Sequence, residues 1–151
     1  QVVMGWQDCH LHEFEIAGER YGIPDPDYDL VDPVSNEQRV RLASALGAAR
    51  SFSYLYDYGD NWIHRIKVER RLEPDPLFDT ALCVTGANAA PPDDVGGAHR
   101  YAEFVDAITD PRHPEHQTML DWFGSTFDPA AFDPAAFDIA EVDRQLAKIK
   151  L

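Results

Sequence analysis

Three histidines stand where strand alternation turns them toward an interior: His10 and His12 in Asp8-Cys9-His10-Leu11-His12, and His64 in Trp62-Ile63-His64-Arg65-Ile66. Neutral imidazole is the commonest side-chain metal ligand, and His-x-His on one strand sends both rings to the same face. With Asp57, Asp60 or Cys83 as a further donor, the set has the make-up of a zinc-like site. One expectation is therefore a divalent metal or a small ligand held between His12 and His64. The competing one is plainer: these are core histidines hydrogen-bonded to tyrosine hydroxyls and acidic side chains, as buried polar groups require.

The elements that must position them can be read from periodicity. Phe52, Tyr54, Tyr56 and Tyr58 recur every second residue, and so do Trp62, His64, Ile66 and Val68. Each run has one aromatic or apolar face, and Gly59, Asp60 and Asn61 supply the turn between them. Setting Tyr58 against Trp62 places Tyr56 against His64 and Tyr54 against Ile66, so the apolar faces coincide. A slip of one residue turns them apart. In this hairpin Asp57 points away from the tyrosine face, toward Arg65 or Lys67. His10, His12, Phe14 and Ile16 alternate with Leu11, Glu13 and Glu15 and predict a half-buried strand.

Around this centre the chain is read in order. Gln1 to Trp6 resembles the last turn of an apolar helix running into a Gly5 stop. Residues 18–34 hold three prolines and two glycines and predict an irregular loop. Ser35-Asn36-Glu37-Gln38 matches a capping box, with Val40, Ala43 and Leu46 as the helical stripe that follows and Gly47 as its end. The stretch from Glu73 to Gly97, rich in Pro, Gly, Ala and Asp, predicts a shaped surface loop. Tyr101, Phe104, Val105 and Ile108 mark an amphipathic helix broken at Asp110-Pro111. A second helix starts at Pro114 and turns Met119, Trp122 and Phe123 inward. Phe127-Asp128-Pro129-Ala130-Ala131 recurs as Phe132-Asp133-Pro134-Ala135-Ala136, offering two Asp-Pro helix starts. The last helix begins near Asp138, with Glu141 completing its cap and Ile139, Val142, Leu146 and Ile149 as its core stripe. The expected fold is α+β: an antiparallel sheet with a central aromatic hairpin, and helices packed mainly from the C-terminal half.

Other chemistry-bearing residues weigh less. Pro91-Pro92-Asp93-Asp94-Val95-Gly96-Gly97 combines a stiff double proline, two carboxylates and paired glycines; it reads equally as a ligand-facing rim or as a rigid lid that covers a sheet edge and caps a helix at Ala98. His113 and His116 share one side of a helix start, where a polar first turn is ordinary. Nothing near Cys83 marks it as a nucleophile. Gly-rich phosphate fingerprints and paired Cys-x-x-Cys signatures are absent. The candidate ligand-binding residues are thus His10, His12, Tyr56, Asp60, Trp62, His64, Pro92, Asp93 and Asp94, with His10, His12 and His64 as the candidate metal ligands.

Totals set the outer bounds. A length of 151 residues and 44% hydrophobic content fit one globular domain. Thirteen basic residues against twenty-seven acidic ones give a net charge of −14, which disfavours direct nucleic-acid binding because that affinity comes mainly from Lys and Arg. No apolar run approaches the roughly 20 residues of a membrane helix. Two distant cysteines, Cys9 and Cys83, suit a reducing, cytoplasmic setting.

Five motifs in order carry a family resemblance: Trp6-(x3)-His10-Leu11-His12-(x)-Phe14; Tyr56-Asp57-Tyr58-Gly59-Asp60-Asn61-Trp62-(x)-His64; Pro91-Pro92-Asp93-Asp94-Val95-Gly96-Gly97; Asp110-Pro111-(x)-His113-Pro114-Glu115-His116; and Phe132-Asp133-Pro134 or its neighbouring copy. Over nearly the whole chain the sequence resembles the family named after the third open reading frame of a root-inducing plasmid, often labelled passenger proteins of insertion elements. The family's Pro-Pro-Glu-Asp is here Pro-Pro-Asp-Asp, which keeps the charge. The resemblance also implies a strand and helix ahead of Trp6, so the expectation is a single domain lacking that segment, with an open sheet edge for a complementing chain or an oligomer. Some members carry a resolvase-like label, but the activated Ser amid arginines and the basic DNA-binding region that a serine recombinase needs are not visible here.

The reading that follows is a plasmid- or transposon-associated, non-catalytic binding or interaction domain, with a protein or small molecule as its partner. Strong acidity suits a basic partner. The alternative is a metal-dependent hydrolase using His10, His12, His64 and a carboxylate.

Overall fold

The computed structural model describes residues 1–25, 34–73, 80–123, 128 and 132–149. These fall into two compact units, one of Asp8–Glu73 and one of Gln1–Gln7 with Pro74–Leu151.

The first unit is a five-stranded sheet. Strands β1 (His12–Ile16) and β2 (Glu19–Gly22) form a hairpin. Its two turn residues, Ala17 and Gly18, both have positive φ, 55° and 87°. Two left-handed turn residues match the twist of the flanking strands, and Gly18 supplies one of them without strain. Strand β2 falls where the sequence predicts an irregular loop. Glu19-Arg20-Tyr21-Gly22 lacks alternating apolar residues, and it is held in the sheet by backbone pairing to β1. Across that pair Arg20 Nε donates to Glu13 Oε1 at 2.8 Å.

A two-residue strand, β3 (Ser35–Asn36), runs parallel to β2. The expected single helix from Ser35 to Gly47 is divided. Asn36 Oδ1 accepts from Gln38 N at 2.9 Å and caps a 3₁₀ turn at Glu37–Arg39, and helix α1 (Leu42–Leu46) begins only after extended backbone at Val40 and Arg41. An asparagine cap and a short strand thus replace the capping box.

Strands β4 (Ser51–Tyr56) and β5 (Trp62–Lys67) make the aromatic hairpin, and the order across the sheet is β3-β2-β1-β4-β5. All pairings are antiparallel except β2 with β3. Burial alternates along β5: Trp62, His64 and Ile66 are half-buried, while Ile63, Arg65 and Lys67 are exposed. The register differs from the expected one by two residues. Tyr56 faces Trp62, Tyr54 faces His64 and Phe52 faces Ile66. Tyr58 belongs to the connection rather than to the strand, because Asp57 and Asn61 both turn left-handed (φ 58° each) and Asn61 N donates to Asp57 O at 2.6 Å.

The second unit carries the remaining helices. Val2–Met4 form one 3₁₀ turn, ended by Gly5 at φ 72°, as the opening residues imply. Helix α2 (Gly97–Thr109) buries Phe104 and Ala107. The Phe104 ring lies 6.2 Å from Tyr101 and 5.7 Å from Phe132. Beyond α2, hydrogen bonds from the Arg112 backbone N–H and guanidinium hold the Asp110 carboxyl below its ordinary pKa. Helix α3 (His116–Phe123) begins two residues after Pro114. Its Trp122 is 51% exposed rather than turned inward, and the Phe123 side chain lies outside what is described. Helix α4 (Ile139–Leu146) starts as expected, with Asp138 Oδ1 accepting from Glu141 N at 3.0 Å. Val142 and Leu146 are its buried positions, and Ile139 and Ile149 sit at its margin. Asp133-Pro134 makes a turn, not a helix start, as Asp133 Oδ1 accepts from Ala135 N. Apart from Asp128, the first copy of that repeat lies outside the described residues.

Among the described residues no helix is long and apolar enough to cross a membrane.

Candidate functional site

Strand order decides what the histidines can do together. Strand β1 pairs with β4, not with β5, so β4 lies between His12 and His64. Two inter-strand steps separate their backbones by roughly 10 Å. The Tyr54 ring fills that interval, with its centroid 5.7 Å from His12 and 5.7 Å from His64, tilted 47° and 48° to them. Phe14 closes on the same ring at 4.8 Å. The alternation that turns His12 and His64 to one face is as expected; a phenol occupies the place proposed for an ion.

Each imidazole has its own neighbour. His12 Nε2 lies 3.1 Å from Glu37 Oε1, with Asp8 Oδ1 3.9 Å from the other ring nitrogen. The His12 side chain is 10% exposed and that of Glu37 24%. His64 Nδ1 lies 3.3 Å from Tyr54 O. His10 precedes β1 in a bend; its Nδ1 is 3.7 Å from Asp57 Oδ2 and its ring meets Tyr56 edge-on at 5.6 Å. Among the described residues no group of three His, Cys, Asp or Glu donors gathers around His12 or His64.

The turn residues have backbone duties. Asp57 is buried, accepts from Gly59 N at 2.8 Å and gives its own N–H to Leu11 O at 2.9 Å. It faces the turn and His10 rather than Arg65 or Lys67. Asp60 is half-buried in the same turn, and Trp62 is half-buried opposite Tyr56, which is 1% exposed. Replacing Asp57 by Ala removes the Gly59 bond and leaves a non-glycine residue at φ 58°. Chemical denaturation is expected to register a loss of about 1–2 kcal/mol, while Asn at 57, which tolerates that backbone, recovers most of it.

One residue that sequence reading assigned only to a cap becomes central. Glu37 reaches His12 from 25 positions away, and its Oε2 is buried with no hydrogen-bond partner among the described residues. It also lines a hollow of about 240 Å³ formed by Phe14, Ile16, Tyr21, Val40, Leu42 and Ala45. Gln38 completes the lining. Glu37 is the only formally charged residue among the described ones that line it. The available signal was Glu37 among otherwise apolar helix-stripe residues; what brings it to His12 is the short β3 strand.

Pro92, Asp93 and Asp94 belong to the other unit. There Trp6 Nε1 donates to Pro91 O at 2.8 Å, and Asp93 Oδ2 accepts from Gln7 N at 3.2 Å. Pro91, Val95 and Gly97 are buried, Asp94 is exposed at φ 61°, and Gly96 at φ 93° leads into α2. Within its unit this loop holds Trp6 and Gln7 and leads into α2. Cys83 is also in this unit, its thiol donating to Thr85 O at 3.6 Å. His116 Nδ1 lies 2.8 Å from Ala107 O, and His113 Nδ1 accepts from Glu115 N, so both histidines serve the α2–α3 connection.

Comparison with known proteins adds a family and a fold. A family model described as plasmid pRiA4b ORF-3-like protein matches residues 1–136. The uncharacterised protein y4hQ of Sinorhizobium fredii is 40% identical over 134 residues, covering 87% of this chain and 68% of that protein. A crystal structure of a protein of unknown function from Methanosarcina mazei Go1 superposes with a TM-score of 0.76 at 31% identity, over 93% of this chain and 77% of that one.

Proposed function

This chain belongs to the plasmid pRiA4b ORF-3-like family, and we propose that it is a non-catalytic binding domain of plasmid and transposable elements, acting in the cytoplasm on a protein or small-molecule ligand. The recognition element in this reading is the sheet unit, with the hollow beside the His12–Glu37 pair as its ligand-facing part. The observation that carries it is the division of labour among the polar groups. His10, His12 and His64 each engage a different polar group, whereas Glu37 also lines an open, largely apolar hollow. Concave apolar lining with one or two placed polar groups is the usual make-up of a small-ligand site. A recombinase or autonomous DNA-binding role gains nothing from a net charge of −14.

Protein-observed NMR against a chemically diverse fragment library tests the proposal on the full chain. Hits are expected to move the resonances of Phe14, Ile16, Tyr21 and Ala45 together. A library that leaves those signals unmoved overturns the reading. So does a fragment that is turned over in a His64-dependent manner.

A further inference from the structure

We infer that the outer edge of β5 takes up an extended, acidic segment of a partner protein as a further strand of the sheet. The inference does not depend on the hollow beside His12 and stands or falls apart from it.

Strand order leaves β5 at the end of the sheet, with β4 on one side of it. The register says which of its backbone groups are committed. Val68 N donates to Arg50 O at 2.9 Å, so Val68, and in the same phase Ile66, His64 and Trp62, turn their N–H and C=O groups toward β4. The far side of β4 has the matching phase: Asp57 N donates to Leu11 O, and Leu55 and Ser53 turn toward β1. Ile63, Arg65 and Lys67 therefore point their backbone donors and acceptors outward. Among the described residues those groups have no backbone partner. Such a row is a template for another strand.

The side chains select which strand. Ile63 is 68% exposed, and Arg65 and Lys67 are exposed beside it. In a chain of net charge −14, neither cation forms an ion pair among the described residues. The acids that share their sheet face on β1, Glu13 and Glu15, stand beyond β4, and Glu13 is engaged by Arg20. Arg50 lies opposite Val68, and Arg70 and Arg71 follow the strand, so this end of the hairpin is locally basic. Charges act over a Debye length of about 8 Å at physiological salt, so a segment at the edge meets these cations rather than the net charge of the chain. Opposite charges directly across a strand pair stabilise it, and like charges oppose it. A second copy of β5 paired antiparallel about Arg65 would set that guanidinium against its own counterpart. A nucleic acid offers phosphates but no ladder of amides. An acidic strand satisfies both the backbone row and the cations.

The test titrates the isotope-labelled full chain with acetyl-Thr-Glu-Val-Glu-Val-Glu-Thr-amide, whose glutamates share one face as a strand and whose valines share the other. The controls are acetyl-Thr-Glu-Glu-Glu-Val-Val-Thr-amide, which has the same composition without alternation, the alternating peptide with lysine in place of glutamate, and a short DNA duplex. The expected result is saturable binding of the alternating acidic peptide. Amide-exchange protection should rise at Ile63, Arg65 and Lys67 but not at Trp62, His64 and Ile66, whose N–H groups β4 already holds. Reversing both charges, Arg65→Glu with Lys67→Glu, is expected to weaken that peptide at least tenfold and to make the lysine peptide the tighter ligand. Both positions are exposed, where substitutions disturb folding little, and the gained affinity shows directly that the edge is intact. Arg65→Gln with Lys67→Gln, which neutralises without reversing, should weaken the acidic peptide as well. Strand addition is overturned if the non-alternating peptide binds as tightly or if protection does not alternate. Undiminished binding by the neutralised variant removes the acidic selection. Tighter binding of the duplex at the same residues assigns the edge to nucleic acid instead, and protection there that grows with protein concentration alone assigns it to a second copy. Binding of no probe ends the proposal.

Discussion

Trp6→Ala is expected to lower the stability of the unit that contains it by about 3–5 kcal/mol, the usual cost of removing a buried large aromatic side chain. Trp6 is 7% exposed, and its indole N–H reaches Pro91 O, 85 positions along the chain. The substitution leaves a cavity and an unpaired carbonyl together. Trp6→Phe separates the two effects: the ring is largely retained, and the lost bond alone should cost about 1–2 kcal/mol. Amide hydrogen exchange gives the sharper readout. In Trp6→Phe, protection is expected to fall across residues 91–97 before it falls in α2 or α4, because the segment loses its anchor. Unchanged protection there would mean that the Trp6–Pro91 bond does not fix the loop.

The second large effect is expected at Tyr54. Its ring is 9% exposed and touches Phe14, His12 and His64. Tyr54→Ala should cost about 3–5 kcal/mol, with a fall in melting temperature of roughly 10 °C for a chain of this size. Its informative consequence is local. Both imidazoles lose the Tyr54 ring, so the His12 and His64 ring proton resonances should shift together, while those of His113 and His116 stay in place. A shift of one imidazole without the other would contradict the packing order His12–Tyr54–His64.

These expectations also mark how far the sequence could be read. Alternation of Tyr and Phe in β4 and of Trp, His and Ile in β5 located the hairpin and chose its buried face correctly. It could not choose the register, because a slip of two residues preserves every face. The backbone made that choice, through left-handed Asp57 and Asn61, and so placed Tyr58 in the turn. Strand order was equally invisible. Nothing in the spacing of His12 and His64 says that a tyrosine strand lies between them, so two histidines with a common face read as a joint site. The caps were more legible: Asp138 and Gly5 act within a few residues of themselves, where propensity and hydrogen bonding are local. Strand β2 escaped notice because its pairing partner, rather than its own composition, makes it a strand. Glu37 escaped for a related reason. Its meaning depends on His12, a residue in a different element, and pairwise proximity of that kind is not encoded by periodicity.

The division of the chain has a consequence for its synthesis. Residues 8–73 make every strand of the sheet, and each antiparallel pairing joins segments less than 50 positions apart. Every strand pairing of that sheet can form once Glu73 has left the ribosome. Trp6 waits longer: its carbonyl acceptor at Pro91 is translated 85 residues later, a delay of roughly 4–17 s at ordinary elongation rates. The indole is made that long before its native acceptor, and this is the window in which a chaperone or a neighbouring nascent chain would find it.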